Sequence, residues 1–186
     1  MEPVNADDVE WTETEEGATH FRRKRLAAAA GGEALGASLY ELPPGARSWP
    51  LHYHTGNEEA MYVLAGEGRL RTAVDDTAAD GHPVEAGDYV AWPADERGAH
   101  QLVNTGESPL RFLAISTMND PDVAVYPESG TVGTFVGRPP GGEGDESPTF
   151  YREDDAVDYW VPDGPGGPAA AGADPDGTPA DDAPGE

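Results

Sequence analysis

Short apolar stretches broken by turn residues set the rhythm of this chain. Residues 37–42 form a mixed strand, halted by Pro43-Pro44-Gly45. Residues 49–54 give a second, with Pro50 marking an edge or a strand start. Residues 60–65 and 68–74 follow, joined at Gly66-Glu67, and DDTAADG at 75–81 is a loop. Residues 82–85, 88–92, 100–104 and 110–117 complete about eight short strands. Regular turns without a long helical pattern predict an all-β barrel or sandwich.

The flanks read differently. Residues 1–16 are an acidic, polar tail. Residues 20–30, HFRRKRLAAAA, predict an edge strand or a short helix whose cations pair with nearby acids. After Met118 come a turn at 119–122 and short apolar pieces at 123–127 and 131–136. A loop opens at Arg138, and aromatic residues gather at 150–151 and 156–160. Residues 161–186 are a Gly/Pro/Ala/Asp tail with too little apolar surface to fold. The expected organisation is a tail (1–16), a barrel with carboxyl-terminal edge segments (17–160, core about 36–118) and a second tail (161–186).

Charge narrows the partners. The chain has 186 residues and 36 acids against 11 bases, a formal net charge of −25. Lys24 is its lone lysine. Such a surface repels nucleic acid and anionic membrane, so neither is an expected partner. No apolar run approaches a membrane span and the amino terminus lacks a leader pattern, so a cytoplasmic location is expected. Cysteine is absent, which leaves nitrogen and oxygen as the metal ligands on offer.

The candidate chemistry lies in two segments. His52 and His54 stand two apart, on one face if the segment is a strand. Thr55-Gly56-Asn57 is a turn signal, after which the chain can come back antiparallel and bring Glu59 to the pair. His100 must arrive from across a barrel. Three imidazoles and one carboxylate suit a divalent ion such as Fe, Mn, Zn, Ni or Co. His20 and His82 lie in polar or Pro-flanked surroundings and read as surface residues.

These segments resemble the two motifs of the cupin superfamily. Gly45, six residues, His52-x-His54, four residues, Glu59, six residues, Gly66 matches the first; Gly87, five residues, Pro93, then His100, three residues, Asn104 matches the second. The first spacer is one residue longer than usual, and Gly98 falls later than the usual Pro-x-Gly-x-x-His pattern places it. The resemblance implies a double-stranded β-helix (jelly-roll) barrel with a divalent metal on His52, His54, Glu59 and His100. It also implies a small-molecule ligand, and it leaves dioxygenase, isomerase or epimerase chemistry open beside noncatalytic binding or sensing.

Arg111, Arg47, Tyr40, Met61 and Trp92 are candidate ligand contacts, Met61 because it shares parity with Glu59. No residue stands out as a dedicated general base. Barrel edges and arms favour a homodimer.

The acid-rich, lysine-poor composition resembles that of cytoplasmic proteins from salt-accumulating haloarchaea. At molar salt the Debye length is about 3 Å, so self-repulsion is screened; in dilute buffer it opposes folding. The melting temperature is expected to rise between about 0.1 M and about 3 M KCl. An unchanged value across that range removes the halophilic reading.

Overall fold

The basic run at 22–25 shows how strand parity builds this molecule. Arg22 and Lys24 lie on the outer face of their strand: Arg22 bonds Glu41, while Lys24 is buried there beneath the amino-terminal segment, donating to the Ala6 carbonyl at 2.6 Å and lying 4.9 Å from the Trp11 ring centre. Phe21, Arg23 and Arg25 take the opposite parity and face the interior.

The computed structural model describes residues 2–72, 81–137, 139 and 147–160. Its strands in chain order are β1 (Thr12–Glu16), β2 (Thr19–Arg25), β3 (Leu35–Leu42), β4 (Tyr53–His54), β5 (Glu59–Ala65), β6 (Glu67–Arg71) and β7 (His82–Glu85). They continue as β8 (Tyr89–Trp92), β9 (Gln101–Val103), β10 (Leu110–Thr117), β11 (Asp122–Tyr126), β12 (Thr131–Phe135) and β13 (Thr149–Arg152). The one α-helix among the described residues, α1 (Leu26–Ala29), is a single turn.

A six-stranded sheet runs β1-β2-β3-β10-β5-β8. A three-stranded sheet β7-β6-β9 and a four-stranded sheet β13-β12-β11-β4 complete the jelly roll. The fold is the all-β double-stranded β-helix that the strand rhythm and motifs imply.

Inward residues of the large sheet form cross-strand rows that grade from apolar to polar. Leu42 pairs with Leu110, both fully buried. The next row holds Arg23, Tyr40, Phe112 and Val63. Farther along, Ser116 pairs with Glu59, which pairs with Trp92. Phe21, Met61, Val63, Leu70 and Leu102 join these rows in one apolar cluster. Burying side chains of this size contributes roughly 1.5–3 kcal/mol each. That cluster holds the polar end of the rows in place.

Three expectations are corrected. Residues 1–16 are not simply a tail, because 12–16 form β1, held by main-chain pairing to β2. The basic segment is not an edge strand: β2 lies between β1 and β3, and α1 follows it. Glu59 does not return antiparallel to the histidine strand. β4 pairs with β11, whereas β5 pairs with β10 and β8, so Glu59 meets His54 across the interior.

Residues 1–155 form one compact unit. In the second unit, Val157, Tyr159 and Trp160 are largely exposed. Most of the loop expected at 75–81, most of that after Arg138 and the whole tail at 161–186 lie outside the described residues. No helix among the described residues is long and apolar enough to cross a membrane.

Candidate metal centre

Two backbone hydrogen bonds join His52 and His100 as an isolated antiparallel bridge, with N–O distances of 2.9 and 3.3 Å. This bridge brings together two segments nearly fifty residues apart. Their rings lie 4.8 Å apart, and the His52 and His54 rings 5.1 Å apart. Glu59 enters from β5 with the inward parity of Met61 and Val63. Ligand atoms of His52, His54 and Glu59 all lie within 4.8 Å of one another. Glu59 Oε2 is 3.6 Å from His54 Nε2 and 3.4 Å from His100 Nε2, so the fourth residue adjoins the same group.

Each ring is held by its other nitrogen. His52 Nδ1 donates to the Pro50 carbonyl at 2.8 Å, and His100 Nδ1 to the Gly98 carbonyl at 2.9 Å. His54 Nδ1 donates to Asp122 Oδ2 at 2.6 Å. A carbonyl or carboxylate oxygen accepts only, so Nδ1 carries the proton in all three. A neutral ring then leaves its lone pair on Nε2, the atom that faces Glu59 in His54 and His100. The donor set fits a divalent first-row ion, with three imidazole nitrogens, one carboxylate and no thiolate.

Gly98 makes the His100 clamp possible. A Cβ there would sit 2.1 Å from the Pro93 carbonyl oxygen, so only glycine permits this tight turn. The shifted glycine in the second motif is therefore accommodated by a one-turn 3-10 helix, Glu96–Gly98. Trp92 stacks on His100 with ring centres 3.9 Å apart, and Tyr126 stacks on His52 at 5.5 Å.

Burial sets the charge states. It drives the His52 imidazole well below its ordinary value of 6.5, with the neighbouring His100 and His54 rings adding to the effect. It also lowers His100, despite the opposing Glu59 charge and the bond to Gly98. Burial would lower His54 too, but the hydrogen bond to Asp122 and the charge of Glu59 outweigh it and raise that ring. Desolvation would raise Asp122, yet its bonds to His54, Asn57 and the Gly56 amide hold it low. Burial, Glu59 and Asp122 together raise the Tyr126 hydroxyl.

A cavity of about 330 Å³ opens over the cluster. His52, His54 and Glu59 line it together with Tyr40, Trp49, Tyr126, Phe135, Pro148, Phe150, Arg23 and Arg25. Of the expected ligand contacts, Tyr40 lines this cavity, and Trp92 lines a smaller one of about 60 Å³ shared with His52, Glu59 and His100. The other three stand elsewhere. Arg111 has outward parity and pairs with Glu41, Arg47 is exposed, and Met61 is wholly buried in the apolar core. Of the two remaining histidines, His20 pairs with Glu13, and the His82 residue is exposed.

Asp122, Tyr126 and the two arginines are missing from the sequence-derived set. Asp122 lies 68 residues from His54, and nothing local marks it as a histidine partner. A signal for Arg23 and Arg25 exists: they share parity with Phe21, which is apolar and inward.

Residues 38–116 match the cupin domain family. Those residues form a cupin domain. Over 75 residues, 40% of its length, the chain is 39% identical to the oxalate-binding protein of Thermotoga maritima, and this match spans 55% of that relative. A solved structure of a cupin-superfamily sugar phosphate isomerase from Silicibacter pomeroyi superimposes with a TM-score of 0.68 at 26% identity. That alignment covers 83% of this chain and 95% of that one. A predicted oxalate decarboxylase from Thermotoga maritima gives a TM-score of 0.50 at 28% identity, covering 61% of this chain and 96% of that one.

The histidines make a pH dependence in the metal-free protein. With folded values held below 6.5, His52 and His100 contribute stability that is present above 6.5 and is lost as pH falls. His54, raised above 6.5, works in the opposite direction: its contribution is present below 6.5 and is lost as pH rises through its folded value. Two against one, the melting temperature of metal-free protein should fall from about pH 7.5 to about pH 5.5, and fall less in His52→Gln. Equal losses in the two proteins would show that His52 is not a titrating group in that window.

Proposed function

We propose that this protein binds a divalent metal ion through Nε2 of His52, His54 and His100 and the carboxylate of Glu59. It acts as an enzyme on a small polar molecule held in the adjoining cavity. The observation that carries this reading is the set of three Nδ1 donors held by Pro50, Asp122 and Gly98. Ordinary buried histidines need no such common arrangement; metal-binding ones use it to aim the second nitrogen. When bound, the ion would polarise a carbonyl or hydroxyl oxygen of the substrate.

The protein's own residues supply the rest. Asp122 keeps the His54 ring oriented, and its second oxygen accepts the Gly56 amide at 2.8 Å, which fixes the turn after the histidine pair. Tyr126, Phe135 and Phe150 wall the cavity on the side of the four-stranded sheet and limit water. Tyr40 and Trp49 line the same space, with Tyr40 fixed by stacking on Phe112 at 5.1 Å.

Isomerisation of a sugar phosphate is the reaction class best supported, because the Silicibacter pomeroyi neighbour so described covers most of this chain. A second reading is noncatalytic binding of a small organic acid. It is favoured by the relative described as oxalate-binding, over a shorter span.

Turnover separates the two. Metal-replete protein is mixed with aldose phosphates and the products are followed by NMR. Interconversion that stops on chelation supports the enzyme; binding without any turnover supports the second reading. Asp122→Asn keeps the shape and loses the carboxylate, and is expected to weaken metal affinity about 10- to 100-fold. Unchanged affinity would remove Asp122 from the support of the site.

A further inference from the structure

Arg23 is a cation inside the barrel with an unused donor. Its Nη1 donates to the Tyr40 hydroxyl at 3.2 Å, but its Nε is buried without a hydrogen-bond partner. Among the described residues, no carboxylate comes within 4.0 Å of the guanidinium, and Nη2 donates to no protein group. This is unusual in a chain with 36 acidic residues. Arg22, next to it on the outer face, is paired with Glu41 at 2.6 Å.

Arg23 also lines the cavity that His52, His54 and Glu59 line. Tyr40 strengthens the case. Its hydroxyl oxygen accepts from Arg23 Nη1 and from Trp49 Nε1, the latter at 3.4 Å, so its own hydrogen is left to donate. This wall therefore offers Nη2 of Arg23 and the hydroxyl of Tyr40 as donors. Arg25 lines the same cavity. A donor-rich, positive wall calls for a ligand with several acceptor oxygens and negative charge. A guanidinium meets a carboxylate or phosphate with a planar fork of donors that an ammonium lacks.

We propose that Arg23, backed by Tyr40, is the specificity-determining residue of this cavity and binds the carboxylate or phosphate group of the ligand. The proposal rests on the reading that the cavity above the histidine cluster is a ligand site, and it narrows that ligand to an oxyanion.

Calorimetric titration of the metal-replete protein tests it, with D-ribose 5-phosphate and L-malate as probes and D-ribose and malamide as their neutral counterparts. At least one anion is expected to bind, and its counterpart not. Phosphate binding alone would name the phosphate source, malate binding alone the carboxylate. Arg23→Gln should weaken the anion about 10- to 100-fold. Arg23→Lys, which keeps the charge without the fork, should fall between, and Arg22→Gln should bind as wild type does. Arg23→Lys carries the comparison if Arg23→Gln fails to fold by circular dichroism. Equal binding by wild type and the Arg23 variants, equal binding of anion and counterpart, or no binding of either anion overturns the proposal. Metal content measured on the same samples keeps the two readings apart. A wild type without metal defeats the metal-site reading, whereas a metal-loaded wild type that ignores both anions defeats this one.

Discussion

Everything at the centre of this barrel depends on holding three imidazole rings by their Nδ1 atoms. The acceptors are two main-chain carbonyls and one carboxylate, at Pro50, Gly98 and Asp122. Each restraint removes a rotational freedom and decides a tautomer, which loose histidines would have to settle on binding. The carbonyl acceptors come from the residue two before each ring, so Pro50 and Gly98 belong to the site through their backbones. Asp122 comes from β11, which makes the strand after the second motif part of the same device. The four-stranded sheet is thus more than an added arm: it orients His54 and supplies Tyr126 against His52.

Much of this was legible in the sequence, for particular physical reasons. Turn residues at regular intervals and the two His/Glu segments point to the barrel. Glu59, with the parity of Met61, is placed correctly on an inward row whose other members are core. What was not legible is what non-local pairing decides. β4 and β5 look like a hairpin because the turn signal between them is strong, yet they belong to different sheets. Asp122 reads as part of a turn, and only the pairing of β11 with β4 brings it to His54. Arg111 is a candidate ligand contact from sequence, but the apolar residues of its strand alternate with it and take the inward side. The same alternation, applied to 21–25, identifies Arg23.

Charge is distributed unevenly between the surface and the interior. The chain as a whole is strongly negative, with acids on its outer strands and in its amino-terminal segment. Inside, two arginines line a cavity together with Glu59, His52 and His54, and His52 and the adjoining His100 are held neutral at pH 7. A divalent ion held there would make the interior distinctly positive. Long-range repulsion of anions by the surface and short-range attraction by the cavity then oppose each other, and salt weakens the former more because surface charges are the better screened. The proposed anion-binding site, within an acidic shell, would then bind better at high ionic strength.

The central claim is that His52, His54, Glu59 and His100 form one metal-binding unit. Metal analysis by mass spectrometry addresses it most directly, on wild type and on a His52→Ala/His100→Ala variant purified side by side in high salt. The account predicts about one divalent ion per chain in the wild type and only trace metal in a variant that retains its β-sheet circular dichroism. The same trace in both proteins, or the same full occupancy, would contradict it.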